Sequence, residues 1–162
     1  MPASRRLAGT AARRSRPALD PPYAFNREDS AMPNQPINPA AIVEPIAKAY
    51  SHAVLVPPGS QLLFISGQVG VRKDGSIPAD VAAQAEVVWD NITAILKDAG
   101  MAITDIARMT AYVVGAENFP KYSAVRTRYL AGHRPASTSF FVPALVRPEM
   151  LIEVEAVAAK AP

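Results

Sequence analysis

Apolar side chains recur through residues 81–99 at alternating spacings of four and three: Val81, Ala85, Val88, Ile92, Ile95 and Ala99. That period places all six on one face of a helix. Trp89 and Leu96 widen the stripe, Pro78 and Asp80 suit the opening turn, and Gly100 suits the position just past the end. A shorter helix is predicted over 119–130, with Phe119, Tyr122, Val125 and Tyr129 as its stripe and Pro120 in its first turn.

The remaining apolar runs are strand-length. Tyr50 to Val56 is β-prone and ends in the turn Pro57-Pro58-Gly59-Ser60. Leu62-Leu63-Phe64-Ile65 is a continuous apolar run, which predicts a strand buried on both faces and ending at Ser66-Gly67-Gln68. A second turn is signalled by Lys73-Asp74-Gly75-Ser76. Further strands are predicted over 105–114, 137–142 and 150–159, with a short one at 37–39. The order is β-β-β-α-β-α-β-β. Strands alternating with one-sided helices predict an α/β (α+β) domain, one sheet with both helices on the same face.

The last strand bears on what covers the other face. Ile152, Val154, Ala156 and Ala158 point one way and can meet the helices, while Leu151, Glu153, Glu155 and Val157 point the other. Two glutamates are awkward in a dry core. They suit either an open, solvated face or a face that packs on neighbouring subunits and lines a wet cleft. The small size of the domain and the apolar remainder of that face favour association.

Composition narrows the chemistry. Apolar residues make up 49% of the 162, enough for a genuine core. No run approaches the roughly 18–20 apolar residues of a membrane helix, so the chain reads as soluble and cytoplasmic. Cysteine is absent, which removes disulfides, thiol nucleophiles and thiolate metal sites together. With only His52 and His133 besides, no metal or cofactor is expected. Residues 1–31 carry six arginines against three acids, and the rest of the chain is neutral, so the pI near 9.4 belongs to this extension. A nucleic-acid binder usually carries a basic face on the folded domain itself. No nucleic-acid or membrane partner is expected.

Seven of the sixteen prolines fall in the first 40 residues, without apolar periodicity. Residues 1–36 therefore read as a disordered extension and 37–162 as the domain. Ser4-Arg5-Arg6-Leu7 has the start of a twin-arginine signal but lacks its apolar segment, whereas the acid-free first 19 residues suit an organelle transit peptide. The third reading is an extension without function, with Met32 as the natural start, and it is the one preferred here.

Several segments together resemble the RidA/YjgF/L-PSP family. Tyr50-Ser51-His52-Ala53-Val54 followed by Leu63-Phe64-Ile65-Ser66-Gly67-Gln68 is similar to its "PYSQAV…LFISGQ" pattern. Ala82-Ala83-Gln84, Asn91-Ile92 and Ala99-Gly100 resemble its first helix, and Asp105 to Thr110 its next strand. His133-Arg134-Pro135-Ala136-Ser137-Thr138 resembles its Pro-Ala-Arg turn, and Ile152 to Ala158 its "IEIEAIA" ending. The likeness runs through about 120 residues, in order and with few gaps; no one segment is specific, but their order and spacing are. It implies a chorismate-mutase-like homotrimer with small-molecule clefts at subunit boundaries. Active members hydrolyse reactive enamines and imines there without a cofactor.

The resemblance makes Glu153 the catalytic, water-positioning residue. It places substrate against Tyr50, against Ser66, Gly67 and Gln68, and against Ser137, Thr138 and Ser139. One departure matters: the family's carboxylate-clamping arginine is Ser137 here, and a hydroxyl has neither the planar fork nor the charge of a guanidinium. Odd spacing points Arg134 away from Ser137, an unpromising substitute. Two functions compete. One is a Rid-type protein that binds an imine, enamine or carbonyl metabolite, with or without hydrolysing it, and turns over small 2-imino acids weakly. The other is a 2-iminobutanoate/2-iminopropanoate deaminase with a substitute anion clamp. RNA cleavage is a remote third, since the neutral domain has neither a base-stacking stripe nor paired catalytic histidines.

One consequence concerns the extension. A chain shortened to begin at Met32 is expected to keep the melting temperature of the full chain. A drop of several degrees would show that residues 1–31 pack on the domain.

Overall fold

The protein is described by a computed structural model over residues 32–162. The expectations for residues 1–31 lie outside the described residues. Strand β1 (Gln35–Ile37) pairs antiparallel with β2 (Ala53–Leu55) as a small sheet of its own. The main sheet holds β3 (Gln61–Val69), β4 (Ile106–Val114), β5 (Ala136–Val142) and β6 (Ile152–Lys160), in the order β3-β6-β4-β5. β6 runs antiparallel to both neighbours, and β4 and β5 are parallel. Helices α1 (Val81–Asp98) and α2 (Phe119–Leu130) make the two crossovers.

Both helices form where the periodicity puts them. Asp80 caps α1, its carboxylate accepting from the amides of Ala82 and Ala83, and Gly100 follows its end at φ 69°. Val81, Ala85, Val88, Trp89, Ile92 and Leu96 are fully buried against the sheet. Ile152, Val154, Ala156 and Ala158 of β6 meet them, as their alternation requires. The other face is bare: Phe64 is 74% exposed, whereas Ile152 and Val154 on the covered face are 0% exposed.

Four expectations need correction. The short strand lies at Gln35–Ile37 rather than 37–39, so ordered structure starts before residue 37; Asn34 fixes it by donating to the carbonyls of Asp105 and Ala159. Of the run 50–56, only Ala53–Leu55 is strand, and it belongs to a second sheet rather than the single one expected. Ser51 forms a lone bridge to Ala136 instead. Leu62 to Ile65 is not buried on both faces, because both helices pack on one side and Leu62 and Phe64 point to the other.

Finally, Ser66-Gly67-Gln68 does not end a strand. β3 continues to Val69, with a register shift against β6 between Ile65 and Gln68. A bulge here sets consecutive residues on the same side of the sheet, and Ser66 and Gly67 are both exposed.

Two polar side chains hold the core that periodicity could not reveal. Gln84 is completely buried on α1. Its amide donates to the carbonyls of Pro78 and Glu149 and accepts from the Leu151 amide, tying the start of β6 to the helix. A Cβ on Gly70 would overlap Gln84, so glycine is what lets the end of β3 approach this turn. Arg126 on α2, 5% exposed, donates to the Ala49 carbonyl at 2.6 Å. No helix among the described residues is long and apolar enough to cross a membrane.

Replacing Gln84 by Ala leaves three backbone groups without their partner, one buried and two part-buried, and is expected to cost about 3 kcal/mol. The urea midpoint reads this directly. A cost under about 1 kcal/mol would mean that water replaces the lost bonds.

Candidate functional site

Glu153 lies near the start of β6, on the uncovered face, across from Val69 of β3 and Tyr112 of β4. Its carboxylate rests directly on Gly67, where any Cβ would overlap it. The bulge therefore does two things: it turns the backbone of Ser66 and Gly67 outward, and it clears room for the carboxylate. Gln68 folds back, its amide donating to the Ser66 carbonyl at 3.2 Å. Ser66 also lines a hollow of ≈ 350 Å³ on the same face, together with Phe64, Arg108, Thr110, Glu155 and Val157.

Tyr112 extends this half-site. Its ring stacks on Phe140 with centroids 5.9 Å apart, and its hydroxyl donates to Glu155 at 3.4 Å. Desolvation first, and the Glu155 carboxylate second, raise the phenol above its ordinary value. Tyr112 is thus a neutral donor at physiological pH.

A second group of residues gathers at the far end of the sheet. Ser51 is buried, its amide donating to the Pro135 carbonyl and its hydroxyl to the Arg134 carbonyl at 2.7 Å. These bonds lock Tyr50 beside the start of β5. Tyr50 lines a hollow of ≈ 430 Å³ with Glu44, Lys48, His52 and Arg134. Just before it, Ala47 and Lys48 both adopt left-handed backbone, at φ 53° and 52°. Two such residues in succession, neither a glycine, cost about 1–3 kcal/mol each. The Arg126 bond to Ala49 is one of the contacts that hold them there.

Ser137 does not join Glu153. It pairs with Met109, three registers from the Tyr112–Glu153 pair, and shares the side of β5 that faces the helix layer. Two strand spacings and three residues put it roughly 14 Å from Glu153, on the opposite side of the sheet. Thr138 points to the uncovered face and Ser139 away from it, and both are exposed. Within one subunit the candidate residues fall into two clusters: Glu153 with Ser66, Gly67 and Gln68, and Tyr50 beside the start of β5.

Sequence reasoning also undervalued Arg134, which lines the Tyr50 hollow although its spacing to Ser137 argued against it. Alternation fails as a guide there because Arg134 precedes the strand. Arg126 and Gln84 were missed altogether; a polar residue at a stripe position is the only signal either gives. Both histidines are spent on structure, His52 on the Val43 carbonyl and His133 on the Ile106 carbonyl, each at 2.7 Å. Among the described residues no three carboxylate or imidazole groups converge as a metal site would require.

Known proteins share this sequence pattern and fold. The family model described as Endoribonuclease L-PSP matches residues 41–160. A 2-iminobutanoate/2-iminopropanoate deaminase of Rattus norvegicus is 32% identical over 70% of this chain and 82% of its own. A protein of unknown function of the Rid family from Yersinia pestis superposes with a TM-score of 0.71 at 34% identity, covering 80% of this chain and all of that one. The YjgF gene product of E. coli gives 0.58 at 34%, over 68% and 87%. E. coli TdcF with bound serine gives 0.59 at 29%, over 81% and 94%. With this match spanning almost the whole described domain, and the two-helix, mixed-sheet fold beneath it, the chain belongs to the Rid (YjgF, L-PSP) family.

Proposed function

We propose that the chain hydrolyses a small imine or enamine bearing a carboxylate, in clefts between the subunits of a homotrimer. The observation that carries this reading is the Glu153 carboxylate seated on the bare Gly67 of an outward-turned bulge. It leaves a carboxylate on the uncovered face beside backbone freed from the sheet ladder. A second copy is needed because Tyr50 and Ser137 lie at the other end of the sheet, away from Glu153. The uncovered apolar face, with Leu62, Phe64 and Phe140 half or more exposed, supports association with further copies. Relatives named 2-iminobutanoate/2-iminopropanoate deaminase support the substrate class, and TdcF with bound serine supports a small carboxylate-bearing ligand.

The reaction balances without a redox partner. An enamine first takes a proton on carbon to become the imine. Water then adds to the C=N carbon, with Glu153 orienting it and accepting its proton. The nitrogen gains protons and leaves as ammonia while the C=O bond forms. The product is the 2-oxo acid. Ser137 brings no charge to the cleft, so turnover of the smallest 2-imino acids is expected to be slow.

The test is disappearance of 2-iminopropanoate generated in situ. Glu153→Gln is expected to lower kcat by about 10²–10⁴-fold. Gly67→Ala, which crowds the same carboxylate, is expected to lower it as well while the thermal transition persists. Wild-type kinetics in Glu153→Gln would refute the hydrolytic role. Association has its own measurement: sedimentation is expected to give roughly 50 kDa, three times the 17.3 kDa chain. A monomer at micromolar concentration would remove the intersubunit cleft.

A further inference from the structure

We infer that this chain holds its substrate's carboxylate with Arg134, assisted by Lys48 and the buried charge of Arg126, at the hollow beside Tyr50. The inference rests on the cleft proposed above and names how that cleft recognises an anion without the usual arginine.

Three observations converge on the same few ångströms of chain. The first is composition: the hollow beside Tyr50 is lined by Arg134 and Lys48 against the single acid Glu44. Neither cation makes an ion pair among the described residues. A net charge of +1 in a concave site suits one carboxylate.

The second is Arg126. A guanidinium that is 5% exposed ordinarily faces a carboxylate, because an uncompensated buried charge is costly. Here, among the described residues, its partner is a neutral carbonyl, that of Ala49, and its Nε has none. Ala49 sits between Lys48 and Tyr50, so this charge is bonded to the backbone between two residues that line the hollow. An anion bound there would offset it.

The third is rigidity. Arg134 and Tyr50 are held together through Ser51, whose amide and hydroxyl bond the Pro135 and Arg134 carbonyls. Lys48 is held in left-handed backbone between the Pro45 carbonyl that its amide contacts and the Ala49 anchored by Arg126. Strained backbone kept by several independent bonds marks positions where orientation matters. Ser137, by contrast, is paired to Met109 on the helix-facing side of edge strand β5 and lines none of these hollows.

Arg134 would contact the ligand, whereas Arg126 acts as a positioning residue through Ala49. The experiment uses the full-length protein with pyruvate, the stable carbonyl counterpart of 2-iminopropanoate, as the binding probe in calorimetry. Turnover of the imine is measured alongside. Arg134→Ala is expected to weaken pyruvate binding about 10- to 100-fold and to raise KM far more than it lowers kcat. Arg134→Lys, which keeps the charge and loses the fork, is expected to recover part of the affinity. Lys48→Ala is expected to cost a few-fold.

Arg126→Met removes the hidden charge at similar bulk. It is expected to weaken pyruvate binding if it remains folded, which the thermal transition reports. Arg134 is exposed, so its variants do not depend on that condition.

Pyruvate affinity and KM unchanged in Arg134→Ala would overturn the inference, and so would no pyruvate binding by the wild type. Binding that depends on Arg134 without any imine turnover would support the anion site and refute the hydrolytic reading. Turnover that depends on Glu153 but ignores Arg134 would do the reverse.

Discussion

Two helices cover only one face of a four-stranded sheet, and most of what is distinctive about this chain follows from that one-sidedness. On the covered face the inward residues of β6 are small or branched and carry no polar atoms: Ile152, Val154, Ala156 and Ala158. They can pack densely against α1. On the other face the same strand carries Glu153 and Glu155, and β3 carries Leu62 and Phe64. Carboxylates are accommodated there because the helix layer never covers them. The face is too apolar to suit water and too acidic to be a core, which is what the proposed association rests on.

The acidic half-site depends on a fault in the ladder. Had β3 paired with β6 without interruption, Ser66 and Gly67 would alternate in direction, and the Glu153 carboxylate would have met a side chain. The register shift between Ile65 and Gln68 turns both outward at once. Gln84 supports the other partner, since its bond to the Leu151 amide fixes where β6 begins. The basic half-site is set differently, by single side chains clamping irregular backbone: Ser51 on Arg134 and Pro135, and Arg126 on Ala49.

Ser137, which the resemblance sets where the family pattern has an arginine, has a physical reading within this arrangement. In a strand residue such as Ser137, paired to β4, direction is dictated by the pleat. A cation placed just before the strand, as Arg134 is, has no such restriction and lies beside Tyr50. On the proposed reading, charge recognition moves by a few residues along the chain, to a hollow whose lining carries a net charge of +1.

How much of this was legible beforehand depends on the range of the forces involved. Both helices, the order of the strands and the two-sided nature of β6 follow from periods of 3.6 and 2, because burial acts on every side chain according to its direction. Glu153 stood out for the same reason, as a charge in an apolar strand. The bulge at Ser66-Gly67, the burial of Gln84 and Arg126, and the approach of Arg134 to Tyr50 were not legible. Each is decided by a partner 60 or more residues away: Glu153 for Gly67, Glu149 for Gln84, Ala49 for Arg126, Ser51 for Arg134. The sequence by itself determined which faces were apolar and where the charged exceptions lay. Only the tertiary structure decided which exceptions meet, because a hydrogen bond between distant segments leaves no period in the chain that makes it.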